Sequence, residues 1–260
     1  MPCAHGRGGR RVRTAWAIYK RELIGTFCSP LAYVVMVAFL VFNGVVFWFF
    51  MSMTADNPAL TGSRSPLQMF FGSTILSVLT LLVFSPATTM RTFAEERRSR
   101  TFETLFTAPV TDVEVVAGKY FGSMTFYAAL WAPTLLYALV VKRYGPVDWG
   151  ALASGYAGML LIGSAFVALG VLMSAIARSQ VVAYMLTFMA IGGVMFALGL
   201  GSYVFQEEST RQFFSYVNLW EHMEHFSVGL IDSRALVYYG SVSLCSLALA
   251  TRTLSVRRES

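Results

Sequence analysis

Residues 93–119, FAEERRSRTFETLFTAPVTDVEVVAGK, form the one long charged island between two apolar runs of the sequence. Glu95, Glu96, Glu103, Asp112 and Glu114 stand beside Arg97, Arg98, Arg100 and Lys119, in a 260-residue chain that is only 13% charged and 56% hydrophobic. The sequence on both sides is too apolar for a water-soluble domain of this size. The island is therefore a solvent-facing handle on a body that reads as membrane.

Working outward, six apolar runs are long enough to cross about 30 Å of hydrocarbon as helices of about 20 residues. They cover 31–51, 69–90, 120–141, 150–177, 181–205 and 235–251, the last of them shorter and flecked with Ser241, Ser243 and Ser246. The expected fold is an all-α integral membrane protein with one six-span domain over 13–252. A disordered basic tail over 1–12 precedes it and a cytoplasmic tail over 253–260 follows. With both termini inside, 15 of the 20 Lys and Arg fall on cytoplasmic segments, as the positive-inside rule requires. The +6 net charge is this bias, and it calls for no nucleic-acid partner. Cys3, Cys28 and Cys245 offer no disulfide framework. The Arg10-Arg11 pair is too far from the first apolar run to make that run a cleaved signal, so it reads as a retained span.

Before that span, Trp16, Tyr19, Leu23 and Phe27 repeat at helical spacing. Arg13, Lys20 and Arg21 can reach headgroups beside this stripe, which suits a helix lying in the inner interface; a positively charged flank that only sets topology is the alternative. Ile18 falls on the far side of the stripe. Within the island, Glu96 and Arg100 are spaced i,i+4, and a helix there would end before Pro109. Thr111 and Glu114 form a capping box that starts a second helix running unbroken into the third span. Pro86 and Pro133 predict kinks in the second and third spans. Ser154/Gly158 and Gly170/Ser174 permit close helix packing, with a substrate path as the other reading of these small residues. The loop 206–234 is unusually apolar for an outside segment and is expected to dip back into the membrane as short helices.

Several chemistries are missing. No Asp, Glu, Lys, Arg or His lies inside the six ranges, which argues against ion-coupled carriers and intramembrane hydrolases, both of which need such groups in the bilayer. Gly118-Lys119 lacks the earlier glycine and the following Ser/Thr of a phosphate loop, so nucleotide would have to bind another chain. The WEHMEH segment around His222 and His225 is not a metalloprotease motif, and no third ligand is evident, so it reads as a polar stripe on a short loop helix. A lipid-buried body without its own fuel site and with one handle implies a transporter driven from outside. An ATP-independent channel or carrier is disfavoured by the same missing charges.

Glu95-Glu96-Arg97, Thr101-x-Glu103, Leu105, Pro109-Val110, Glu114 and Gly118-Lys119 resemble the cytoplasmic signature of type-2 ABC transporter permeases, particularly the gliding-motility-associated branch. The segments FCSPLAYVVMVAFLVFNGVVFW and HMEHFSVGLIDSRALVYY are similar to that branch as well. The resemblance implies an elbow helix carrying Trp16, Tyr19, Leu23 and Phe27, then six spans, with the island as coupling helix. Glu95, Glu96, Arg97, Arg98 and Arg100 would make charged contacts with an ATPase or position the helix. Thr101, Glu103, Leu105 and Phe106 would seat it, and Pro109 would set its break. The loop before the last span, with Phe213, Trp220, His222, His225 and Phe226, would form re-entrant helices at an outer gate. The chain would carry no cofactor and catalyse nothing itself, ATP and Mg being held by separate ATPase subunits. It would pair with a second permease in the inner (plasma) membrane bilayer and export its substrate. A non-transport scaffold recruiting a cytoplasmic partner through the same island is the competing reading.

Overall fold

The computed structural model describes residues 6–56, 65–72, 74–95, 111–204 and 217–259. Among the described residues every regular element is helical. In chain order they are α1 (Gly6–Phe27), α2 (Pro30–Asp56), α3 (Pro66–Phe71), α4 (Ile75–Thr89), α5 (Asp112–Trp131), α6 (Leu135–Tyr144), α7 (Trp149–Ile176), α8 (Gln180–Val204), α9 (Leu219–Ser227) and α10 (Ser233–Glu259). Among the described residues four segments are long and apolar enough to cross a membrane: Pro30–Asp56, Asp112–Tyr144, Trp149–Ile176 and Gln180–Gly199. Helix α4 is apolar but has only 15 residues, about 22 Å at helical rise and short of the hydrocarbon thickness. Helix α10 is long enough at 27 residues, but serines and arginines dilute it. The expected six spans thus resolve into four strong crossings and two weaker helices packed among them.

Helix α7 is the axis of the bundle. In its most apolar stretch 67% of the residues are buried, against 28% in α2 and α8. Helices α4, α5, α8, α9 and α10 all pack on it. Glycines on α7 make this possible, because a Cβ on Gly158 would lie 2.5 Å from Phe226, one on Gly163 2.2 Å from Tyr127, and one on Gly170 2.1 Å from Thr89. No ordinary side chain fits there, so the small residues of this span serve packing. Helix α2 is peripheral and turns Val34, Val37, Val41, Val45 and Trp48 outward, at a spacing that makes one lipid-facing stripe.

Two expectations need correction. The tail expected to be disordered over 1–12 is helical from Gly6 onward, its arginines being good helix formers. The second apolar run, expected as one helix over 69–90, is two. Gly72 is extended and Thr74 caps α4, its hydroxyl accepting from the Ser77 amide. Upstream, Ser65 and Gln68 form a reciprocal capping box around Pro66, and the Ser77 hydroxyl donates to the Phe70 carbonyl at 2.6 Å across the break. Local caps here outcompete a continuous helix. The third run continues from its Thr111–Glu114 capping box, as expected, and passes through a 3₁₀ turn at Ala132–Thr134, where Pro133 was expected to disturb it.

Topology puts α3 and α9 together at one end of the bundle. Helix α9 ends in a glycine turn: Gly229 has φ +92° and the Leu230 amide donates back to the His225 carbonyl at 2.9 Å, which releases the chain into α10. The opposite end carries α1, residues 90–95, the start of α5 and the α7–α8 turn.

Candidate functional site

Of the island, residues 96–110 lie outside the described residues. Their two attachment points are described, and these converge with α1 on one joint. Residues 91–95, leaving α4, are bonded in turn to neighbouring elements. Arg91 donates through Nη1 to Ser29, between α1 and α2, and through Nε to Glu95 at 3.0 Å. Thr92 shares a hydroxyl bond with Ser123 of α5 at 3.2 Å. The buried amides of Phe93 and Ala94 both donate to the Ser174 hydroxyl of α7, at 3.0 and 3.3 Å. Glu95 accepts from Gln180 at the start of α8. Phe93 also packs with Val115, Val171, Ala250 and Leu254, which brings in α10.

At the centre is Lys119, seven residues into α5 and 1% exposed. Its Nζ donates to the Thr92 carbonyl at 2.6 Å and to Glu22 Oε2 at 3.2 Å. It also lies 5.0 Å from the centroid of the Phe93 ring. A lysine is almost never this buried unless paired. A buried ion pair is a poor source of net stability, but removing one partner is costly, so its best-attested use is to hold one arrangement against others. Here that arrangement joins α1, the exit of α4 and the entry of α5. Glu22 reaches Lys119 because Gly122 leaves room: a Cβ there would lie 2.9 Å from Glu22 Cγ.

The stripe expected on α1 is partly rotated. Tyr19 bonds Thr125 at 3.0 Å and Phe27 meets Phe126 edge-on at 5.5 Å, while Leu23 is half-buried. Trp16, however, is 64% exposed, and Ile18 packs toward the joint. The buried face of α1 therefore includes Ile18 and Glu22, because the helix packs along α5. Lys119 lies one residue before the third apolar run, where sequence marks it as the end of the charged island and not as a buried residue. Glu22 was hidden among basic neighbours. The available signal was its being the one acidic residue in an otherwise basic α1.

Among the expected site residues Glu95 belongs to the joint. Glu96, Arg97, Arg98, Arg100, Thr101, Glu103, Leu105, Phe106, Pro109 and the gate residue Phe213 lie outside the described residues. At the far end Trp220, His222 and Phe226 sit on α9 beside exposed His225. His222 is buried with Nδ1 3.1 Å from the Tyr239 hydroxyl of α10, so the two histidines occupy different surroundings. Phe226 fills the groove over Gly158. Trp220 ends an apolar groove of about 560 Å³ between α4 and α8, floored by Val78, Leu82, Met195 and Phe196.

A family model described as ABC-2 family transporter protein matches residues 50–220, about two thirds of the chain. The match takes in both attachment points of the island and ends at the start of α9. No curated protein matches the chain. With its apolar helices and this match, the chain belongs to the ABC-2 family of transporter proteins.

Proposed function

We propose that the chain is the permease subunit of an ATP-driven exporter, powered by separate ATPase subunits acting on the 91–119 segment. The observation that carries this reading is the joint. The residues flanking 96–110 are bonded to α1, α5, α7 and α8 and to the α1–α2 turn. A push on the segment would reach most of the bundle at once, which is what a permease without its own fuel requires. ATP and Mg would reside on the partner, and this chain would contribute no catalytic group.

In this reading α4 and α10 complete a six-helix bundle in the inner membrane with both termini cytoplasmic. Two permeases, alike or different, pair around the substrate path. The α4–α8 groove faces that path, and α9 stands at its outer mouth with Phe213, Trp220, His222, His225 and Phe226. The likeness of the first-span entry and of the segment before α10 to the gliding-motility-associated branch supports reading the chain as one of that branch.

The test is co-purification from the native host. The double substitution Glu96→Arg with Glu103→Arg should leave insertion intact and abolish recovery of an ATPase subunit. Undiminished ATPase recovery with that variant overturns the coupling role. Recovery of intact wild-type protein without any ATPase, under conditions that preserve a known ABC complex, favours the membrane scaffold instead.

A further inference from the structure

Helices α4 and α8 face each other with matched spacing across the groove of about 560 Å³. Ile75, Val78, Leu79 and Leu82 of α4 line it at i, i+3, i+4 and i+7. Gly192, Met195, Phe196 and Gly199 of α8 repeat that pattern, so each set lies on one helix face. Seven residues of helix run about 10 Å. At one end a Cβ on Gly192 would lie 3.4 Å from Leu82, which closes the groove. At the other end stand Asn218 and Trp220, at the start of α9. Among the described residues no charged side chain lines the groove. Asn218 is only 7% exposed, and its Oδ1 caps α9 by accepting from the Trp220 amide at 3.1 Å. Among the described residues neither Asn218 Nδ2 nor Trp220 Nε1 has a hydrogen-bond partner.

We infer that this groove holds the chain of an acyl ester or amide whose carbonyl oxygen accepts from Asn218 Nδ2 and Trp220 Nε1. The volume lies within the roughly 300–1,000 Å³ of small-molecule pockets. Two neutral N–H donors at one end of an uncharged apolar slot call for a neutral acceptor joined to hydrocarbon, because a charged group there would lose its hydration without a counter-charge. A helix of a second copy is the poorer occupant. Its backbone carbonyls are already bonded within the helix, so it would bury both donors unmet, with the full desolvation cost of each. Ile75 and Phe196 leave the lips of the groove exposed, so the amphiphile enters sideways from the bilayer. That it is the transported class rests on the permease reading above; that it binds does not.

The test labels the purified full-length protein, in maltoside micelles, with a diazirine-bearing monoacylglycerol and maps the adducts by peptide mass spectrometry. Adducts should fall on residues 75–82 and 192–199. Unlabelled monoacylglycerol should compete, and an alkylamine of equal chain length, which brings a charge and no carbonyl, should compete about tenfold less well. Asn218→Asp keeps an acceptor for the α9 cap but removes the amide donors, and should weaken labelling about tenfold, as expected for one buried hydrogen bond. Gly192→Leu, which fills the groove, should abolish labelling, while Gly193→Leu, where a Cβ meets nothing within 4 Å, should keep it. Wild-type labelling of folded Asn218→Asp, equal competition by the amine, or adducts elsewhere on the chain overturn the proposal. In complex with an ATPase subunit the adducts should diminish during ATP turnover, and adducts that survive it overturn the cargo assignment in favour of a resident lipid. ATPase recovery is read separately from labelling, so the permease reading and the groove assignment can each fail alone.

Discussion

The two ends of the bundle are held together by different forces. At the joint end the contacts are polar and directional: an ion pair, a lysine on a backbone carbonyl and two amides on one serine hydroxyl. At the far end they are mainly apolar, with Phe226 over Gly158, Phe71 against Tyr156 at 4.8 Å and Phe47 stacked on Tyr137 at 4.6 Å. Directional bonds break if partners slide, so the joint end must move as a unit or change state as a unit. Ring-on-glycine packing excludes lipid and solvent and tolerates small shifts. The contrast fits an end that receives force and an end that seals.

The comparison breaks most readily at Lys119. Replacing it with Met leaves Glu22 without its partner in a largely buried place, at an expected cost of about 3 kcal/mol. Reversible unfolding in mixed micelles measures this, and the double variant with Glu22→Gln should recover much of the loss. No recovery would mean that the pair is not what binds α1 to α5.

The far end should respond to volume instead. Gly158→Val forces Phe226 aside and should cost about 2 kcal/mol. Gly193→Val on α8, where a Cβ meets nothing within 4 Å, should change stability by less than about 0.5 kcal/mol. Equal effects at the two sites would remove the distinction between the packed axis and the open edge.

The smallest effect sharpens the contrast spatially. Ser174→Ala takes the hydroxyl acceptor from the Phe93 and Ala94 amides and should cost about 1–2 kcal/mol. Hydrogen exchange should speed up at residues 93 and 94 while the amides of α9 stay protected. Faster exchange at both ends would show that the ends are one cooperative unit.

Much of the architecture was legible in the residues. Apolar run length marked the helices, and Thr111-x-x-Glu114 marked the start of α5, because a capping box is made within four consecutive residues. The break at 72–74 was legible too, in Ser65-Pro66-x-Gln68 and in Gly72 before Thr74, but uninterrupted apolarity masked it. Lys119 and Glu22 were not legible as a pair. They lie 97 positions apart, and no local pattern joins a lone acid in a basic helix to a lysine at the end of the island.

The sequence by itself determined that this chain carries membrane-length apolar helices, where most of them start and where its charged island lies. Those properties follow from local sums of transfer free energy and from backbone caps. Only the tertiary structure decided that α7 is the axis, that α1 turns Glu22 inward and that the root of the handle is bonded to its neighbours. Such choices rest on which surfaces meet at a few tenths of an ångström, as between Gly163 and Tyr127, and no local pattern carries that information.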